Sequence, residues 1–138
     1  MKKFILIAIL IFTTSLIFAQ QPDDLIGKYR LPNQLDVEIY KTGNKYSGKI
    51  IALNNYENGQ TKDIKNPDKE KRDNLLLGME IIENLEFDKD EKQWINGEMY
   101  GPEKGLVLNL KITEMREKDI VVVGSKYIFR KTLEWKKL

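Results

Sequence analysis

The chain has no cysteine and no histidine. Without them there is no Ser-His-Asp triad, no Cys-His pair, no histidine general base and no ordinary zinc site. Disulfides are excluded as well, so an exported fold of this sequence would rely on its core alone. Catalysis is left with carboxylates, lysine, tyrosine and hydroxyls, and neither a cofactor nor a metal is expected. An excess of charge of one sign is also lacking, with 23 Lys+Arg against 21 Asp+Glu. Once Lys2 and Lys3 are removed with a leader, the two signs are equal in number. Nucleic-acid binders carry a basic surplus or stripe, so no nucleic-acid partner is expected, nor membrane attachment through a basic patch.

Long apolar runs are scarce. The one that exists, Phe4 to Phe12, follows the positive Met1-Lys2-Lys3 and is interrupted by Thr13-Thr14-Ser15. It falls short of the ~20 residues a membrane helix needs. Its layout is that of a secretory signal peptide, residues 1–19, with cleavage after Ala19 and Ile17 at the −3 position. With no cysteine nearby, it is not a lipoprotein signal. The expectation is an exported protein, periplasmic or secreted, with no integral span after processing. Residues 20–138 then suit one domain, large enough for a core without staples.

What the sequence does have is strand pattern. "LIGKYRL" opens the domain and stops at Pro32. "LDVEIYK" puts Leu35, Val37 and Ile39 on one face, and "KYSGKIIAL" resumes with Tyr46, Gly48 and Ile50 after the turn "TGN". These two runs read as a hairpin. "LLLGMEIIENLEF" and "WINGEMY" follow, separated by "DKDEKQ". "LVLNLKIT" gives the cleanest alternation, with Leu106, Leu108, Leu110 and Ile112 inward. "IVVVG" and "SKYIFRKTLEWKK" close the chain. About eight short strands joined by short turns predict an all-β, antiparallel meander that can close into a barrel and so remove its edges. Large inward residues, Leu108, Leu110, Ile112, Phe129 and Leu133, argue for a filled interior, since eight strands leave little room.

One segment breaks the pattern. "DIKNPDKEKRDN", from Asp63 to Asn74, is a charge-dense island. Asn66 can cap a helix, Pro67 suits its first position, and Asp68 meets the positive helix end. One short helix is expected there, in the long loop. Two readings of the island stand side by side. In one, Asp63, Asp68 and Arg72 form a polar recognition site at a barrel rim. In the other, Asn66-Pro67-Asp68 is a cap and Asp63–Arg72 a local tie, so that the island is a connector folded over one barrel end. Asp88 to Glu91 lacks the spaced ligands of a calcium loop. Glu80, Glu83, Glu86 and Glu98 could include an acid–base pair only if the fold brings two together.

These residues also carry a resemblance. Asp63, Asn66, Pro67, Asp68, Arg72 and Gly78 resemble the first signature of the exported bacterial family DUF2147. Trp94, Gly97, Tyr100, Pro102 and Gly105, with Met99 in an Ile place, resemble its second. Thr132 and Trp135 resemble its closing strand. The chain departs from the family pattern at Asn74, Leu75, Gly101 and the Arg130-Lys131 pair. The resemblance implies a lipocalin-like barrel with one open mouth, eight strands in antiparallel order, and no assigned reaction. Asp63, Asn66, Asp68 and Arg72 of the island, with Trp94 and Tyr100, are the rim or ligand candidates, although aromatics such as Trp94, Tyr100 and Trp135 more often pack a core or rim. Tyr29, in a Gly-x-aromatic echo on the first strand, would pack under Arg130 or Lys131 of the last strand as a cation–π closure.

Three function classes follow. The first is a non-enzymatic barrel that binds a small apolar or amphipathic ligand. The second is a surface-acting module for another envelope protein, with a packed interior. The third is a carboxylate-based hydrolase. The leader makes the first testable statement: the intact mass of the chain recovered from its host is expected to correspond to Gln20–Leu138, with or without cyclisation of Gln20. A mass that retains Met1 to Ala19 refutes cleavage.

Overall fold

The computed structural model describes residues 19–138; most of the expected signal segment, residues 1–18, lies outside the described residues. Eight strands follow one another: β1 (Gly27–Arg30), β2 (Asp36–Thr42), β3 (Lys45–Ala52), β4 (Glu80–Asp88), β5 (Gln93–Gly101), β6 (Leu106–Met115), β7 (Asp119–Lys126) and β8 (Phe129–Lys137). Each pairs antiparallel with its sequence neighbours, and β8 returns to β1, which closes the barrel. Closure spares the sheet two exposed edges. It is narrow, however: only Tyr29↔Lys137 and Arg30↔Lys136 are registered between β1 and β8. From Phe129 to Trp135, β8 has a partner on β7 alone.

Directly paired residues share a face, so the register assigns the interior. Trp94, Ile112, Val122 and Leu133 form one row across β5–β8, and Gly97, Leu110, Gly124 and Lys131 form the next. Met99 and Leu108 lie above these, with Gly101 and Leu106 beyond. The predicted inward set of β6 is therefore right in phase, but its burial is graded. Ile112 is fully buried, Leu110 nearly so, Leu108 is half-buried and Leu106 is 42% exposed. Phe129, expected to fill the interior, is 73% exposed at the end of its strand.

The gradient separates a closed end from an open one. The closed end carries the short β2–β3, β4–β5 and β6–β7 turns and a 3-10 turn at Pro22–Leu25. That turn is tied across the barrel floor. The Trp94 indole N–H donates to the Pro22 carbonyl at 2.9 Å, the Tyr46 hydroxyl donates to Asp23, and the Tyr29 hydroxyl donates to the Leu25 carbonyl at 2.7 Å. Burial, with Asp24 adding to it, pushes Tyr29 up to about 12, so it stays a donor. Trp94, Trp135, Ile112, Ile120, Tyr46 and Leu85 fill the space above the floor.

The filling reaches the strand backbones. A Cβ on Gly97 would stand 2.5 Å from Leu85 Cδ2 and 3.0 Å from the Leu110 carbonyl, and one on Gly48 would stand 2.8 Å from Ile82 Cδ1. These glycines are notches over which an isoleucine or leucine of the adjacent strand β4 packs directly on the backbone. Gly124 is different. In the same row of the inner face, two strands from Gly97, its Cβ would meet nothing closer than Leu108 Cδ1 at 3.9 Å.

Strand β4 begins at Glu80, later than the leucine run suggests. Gly78 turns the chain at φ +86°, and of Leu75, Leu76 and Leu77 only Leu76 is buried. A three-leucine run thus makes one anchor in a loop rather than the first residues of a strand. The contrast between the glycines gives the prediction of this section. Gly97→Ala should cost about 1–3 kcal/mol through overpacking, whereas Gly124→Ala should stay within about 0.5 kcal/mol of the wild type. Urea denaturation of the two variants checks both values.

Candidate functional site at the open end

The open end is built from the turn at 31–35, the long loop 53–79, the turn at 102–105 and the tip of the β7–β8 hairpin at 127–128. The long loop is fastened to only part of this rim. Asn54 Nδ2 donates to the Gln34 carbonyl at 2.8 Å, which joins the loop to the β1–β2 turn. Lys65 Nζ donates to the Glu103 carbonyl at 2.9 Å, which joins it to the β5–β6 turn. There the backbones almost touch: a Cβ on Gly105, whose φ is +63°, would lie 2.0 Å from the Lys65 carbonyl oxygen. Only glycine fits both the conformation and the space.

Asp63 is the knot of this fastening. Its carboxylate is fully buried and accepts from the Tyr100 hydroxyl at 2.7 Å and from Asn66 Nδ2 at 2.8 Å. Its own N–H donates to the Asn74 carbonyl at 2.9 Å, which closes the base of the island. Burial first, and then the bond to Asp63, holds Tyr100 well above the ordinary tyrosine range, so the hydroxyl remains the donor. A buried carboxylate is tolerated only when its oxygens are satisfied in this way. Beside it, the buried Tyr56 hydroxyl has no hydrogen-bond partner among the described residues. Burial raises Tyr56 too, with Glu103, Glu57 and Asp63 adding to the effect.

The structure brings Asp63, Asn66 and Tyr100 together, as a structural knot. It corrects the details expected of the island. The helix is a single 3-10 turn at Lys69–Lys71, and Asp68 caps it by accepting from the Glu70 N–H at 3.0 Å. Asn66 is not the cap. Its amide is engaged by Asp63, and its Oδ1 accepts from the Asp68 N–H at 2.9 Å. The expected Asp63–Arg72 tie is absent, because Arg72 is exposed and its Nε donates to the Asn66 carbonyl at 2.7 Å. Trp94 is not at the rim: its 2.9 Å bond to Pro22 fixes it in the floor, with its ring centroid 5.2 Å from that of Phe87.

The closure expected from Tyr29 is also different. Tyr29 meets β8 at Lys137, while Arg130 and Lys131 sit at the opposite end of that strand. Arg130 belongs to an outer-face row with Ser125, Asn109 and Glu98, along an open surface groove of about 450 Å³. Lys131 has the inward phase of Gly124 and is exposed at the mouth. Of the acidic candidates, Glu83 and Glu98 do face each other across β4 and β5, but both are exposed on the outer wall. Asp88 Oδ1 accepts from the Asp90 and Glu91 N–H groups, which makes "DKDE" a turn.

What remains at the mouth is a partly open inner wall. Leu108, Met99 and Leu133 are half-buried, Leu106 is more exposed, Gly124 is bare, and Lys131 with Lys126 lies beside it. The long loop makes no hydrogen bond to the β7–β8 hairpin among the described residues. Gly124 was legible in principle, because "IVVVG" continues the inward phase of Ile120 and Val122 onto a glycine. The graded burial was not.

If Asp63 is the knot, Tyr100→Phe should cost about 1.5–3 kcal/mol, the range for a hydrogen bond to a charged group. Arg72→Ala should remain within about 0.5 kcal/mol of the wild type. Thermal melts of the two variants side by side are the check, and equal losses would remove Asp63 from its anchoring role.

Comparison with known proteins agrees with this architecture. A family model described as "Uncharacterized protein conserved in bacteria (DUF2147)" matches residues 27–137. No curated protein matches the chain. Among solved structures, the chain is similar to one described as "Protein HP1028 from the human pathogen Helicobacter pylori belongs to the lipocalin family". The TM-score is 0.71 at 20% identity, over 83% of this chain and 82% of that one. The likeness is one of fold, a lipocalin-like barrel. With its family model covering all eight strands, the chain belongs to the DUF2147 family.

Proposed function

We propose that this protein is a non-enzymatic carrier or sensor that binds a small amphipathic molecule at the open end of its barrel. The observation that carries the reading is the change along one inner wall, from the Gly97 notch filled by Leu85 to the bare Gly124 with nothing closer than 3.9 Å. The apolar part of the ligand would lie on Leu106, Leu108, Met99 and Leu133. Its polar end would be anionic, meeting Lys131 and Lys126 where solvent still reaches. The barrel is filled below this level, so the site is shallow and suits a short chain rather than a long one buried to the floor. The lipocalin-like fold makes ligand binding a reasonable class of function and identifies no ligand.

A second reading has its own support. The filled lower interior favours a module that acts on another envelope protein through its surface. A carboxylate-based hydrolase finds less support, since Glu83 and Glu98 lie exposed and without a pocket that would desolvate them.

The test uses dodecanoate and its methyl ester with residues 20–138. Dodecanoate should raise the melting temperature by mass action, equivalent to about 2.7 kcal/mol when it is at ~100 times its Kd. Gly124→Phe, which fills the mouth, should abolish the rise while leaving a cooperative melt. Lys131→Glu should weaken binding of the carboxylate and leave that of the ester little changed. If neither compound nor other amphiphiles of similar length stabilise the wild type, or if Gly124→Phe responds as the wild type does, the ligand reading fails and the surface-module reading replaces it.

A further inference from the structure

The open end carries a second feature that the ligand reading does not use. The most exposed large apolar side chains of the described residues are consecutive: Tyr127 at 90%, Ile128 at 92% and Phe129 at 73%. They form the tip of the β7–β8 hairpin, between the paired residues Lys126 and Phe129. A two-residue hairpin loop ordinarily uses Gly, Asn or Asp, because its backbone enters the left-handed region. Here Tyr127 takes that position at φ +55°. A bulky aromatic residue at a left-handed position, followed by a β-branched one, sacrifices turn chemistry without gaining any burial. Local rules broken without a packing return mark positions chosen for contact with something else.

The surroundings specify what that partner is. The hairpin reads "SKYIFRKT", with three basic residues and no acidic one from Ser125 to Thr132. Lys126 Nζ donates to the Val107 carbonyl at 3.1 Å and lies 5.6 Å from the Tyr127 ring centroid. Arg130 and Lys131 follow the apolar tip on β8, one on each face of the strand. Val107, 50% exposed, adjoins the hairpin through its bond to Lys126. Among the acids of this end, Glu103 accepts from Asn33 at 3.4 Å, and Glu98 stands three strands from Arg130 along the same outer row. An apolar tip with cations set immediately behind it matches an interface whose interior is hydrocarbon and whose surface is anionic. A protein partner has no need of that order of layers.

We infer that the β7–β8 hairpin docks the protein on an anionic lipid surface, with Tyr127, Ile128 and Phe129 entering the acyl boundary and Lys126, Arg130 and Lys131 meeting lipid phosphates. The equal numbers of basic and acidic residues in segment 20–138 do not oppose this, because a surface patch acts within about 10 Å at ordinary ionic strength. The long loop makes no hydrogen bond to the hairpin among the described residues, and β8 from Phe129 to Trp135 has no β1 neighbour to hold it down. Docking by this hairpin would turn the barrel mouth towards the membrane. The inference does not depend on a ligand being bound there.

Residues 20–138 contain the whole closed barrel and its core, so this segment is mixed with vesicles of phosphatidylcholine, with and without phosphatidylglycerol at roughly a third of the lipid. Flotation should recover the protein with the anionic vesicles, recover far less with neutral ones, and decline as salt is raised. Ile128→Asp, and separately Arg130→Glu with Lys131→Glu, should each lower binding by about tenfold or more while the melting temperature stays close to that of the wild type. Tyr127→Trp supplies a direct reading: its emission should move to shorter wavelength on anionic vesicles, against the fixed background of the buried Trp94 and Trp135. Equal binding by the wild type and Ile128→Asp overturns the inference, as does absence of binding to anionic vesicles. A concentration-dependent dimer that Ile128→Asp abolishes, without vesicle binding, assigns the tip to a second copy and overturns it too. The dodecanoate experiment contains no vesicles, so its outcome is separate.

Discussion

Contact between large side chains and bare strand backbone, Leu85 against Gly97 and Ile82 against Gly48, is the constraint on which the other features depend. An eight-stranded barrel is barely wide enough for side chains to meet at its axis. Two glycines on its wall let leucine and isoleucine of the adjacent strand β4 settle against bare backbone without a void, and close packing follows. Because the lower interior is occupied, the 3-10 turn at Pro22–Leu25 can seal the floor through Trp94, Tyr46 and Tyr29. Because it is sealed, any function that needs an opening is confined to the other end.

That end is asymmetric for a reason of polar accounting. The long loop holds its backbone in irregular conformations, with Asn54, Asn55, Glu57 and Asn58 at positive φ. Such a loop stays ordered only if something fixes it. The buried Asp63 does so, because a carboxylate removed from water demands donors, and Tyr100 and Asn66 can reach it only in one arrangement. The fastening points follow from where those donors stand, on β5 and within the island. The loop is therefore secured on the β1–β5 side, and the β6–β8 side is left with a bare inner wall and a projecting hairpin.

A floor filled with apolar side chains, a lid tied by one buried carboxylate and a hairpin with an apolar tip over a basic collar divide the labour along one axis. Stability resides at the bottom and in the tied loop, and the surfaces proposed to contact other molecules lie at the top. The proposed ligand site and the proposed lipid contact use adjacent residues of β7 and β8 with different faces. Lys131 and Gly124 look into the barrel, whereas Arg130 and Ser125 look out.

Period-two alternation was enough to read the strands and the shared face of Val37 and Ile39, and of Leu110 and Ile112, because each side chain of a strand has only two directions to take. The absences of cysteine and histidine, and the signature residues from Asp63 to Trp135, were likewise available from the chain alone. The island's polar character was legible, and Asp63, Asn66 and Tyr100 stood out as rim candidates, but their joint role as a buried knot did not. Their partners were not legible: Tyr100 is 37 residues from Asp63, and only barrel closure brings its hydroxyl within 2.7 Å. Trp94 and Tyr29 were misplaced for a related reason. Alternation says which face a residue occupies but not how far along the barrel axis it lies, and that height depends on strand stagger and on which residues of β1 and β8 meet. Nor does alternation say which neighbour covers a position, and that separates Gly97, a filled notch, from Gly124, an open wall in the same row. The two are a glycine on an inward face in the sequence, and only the tertiary packing of Leu85 makes them opposites.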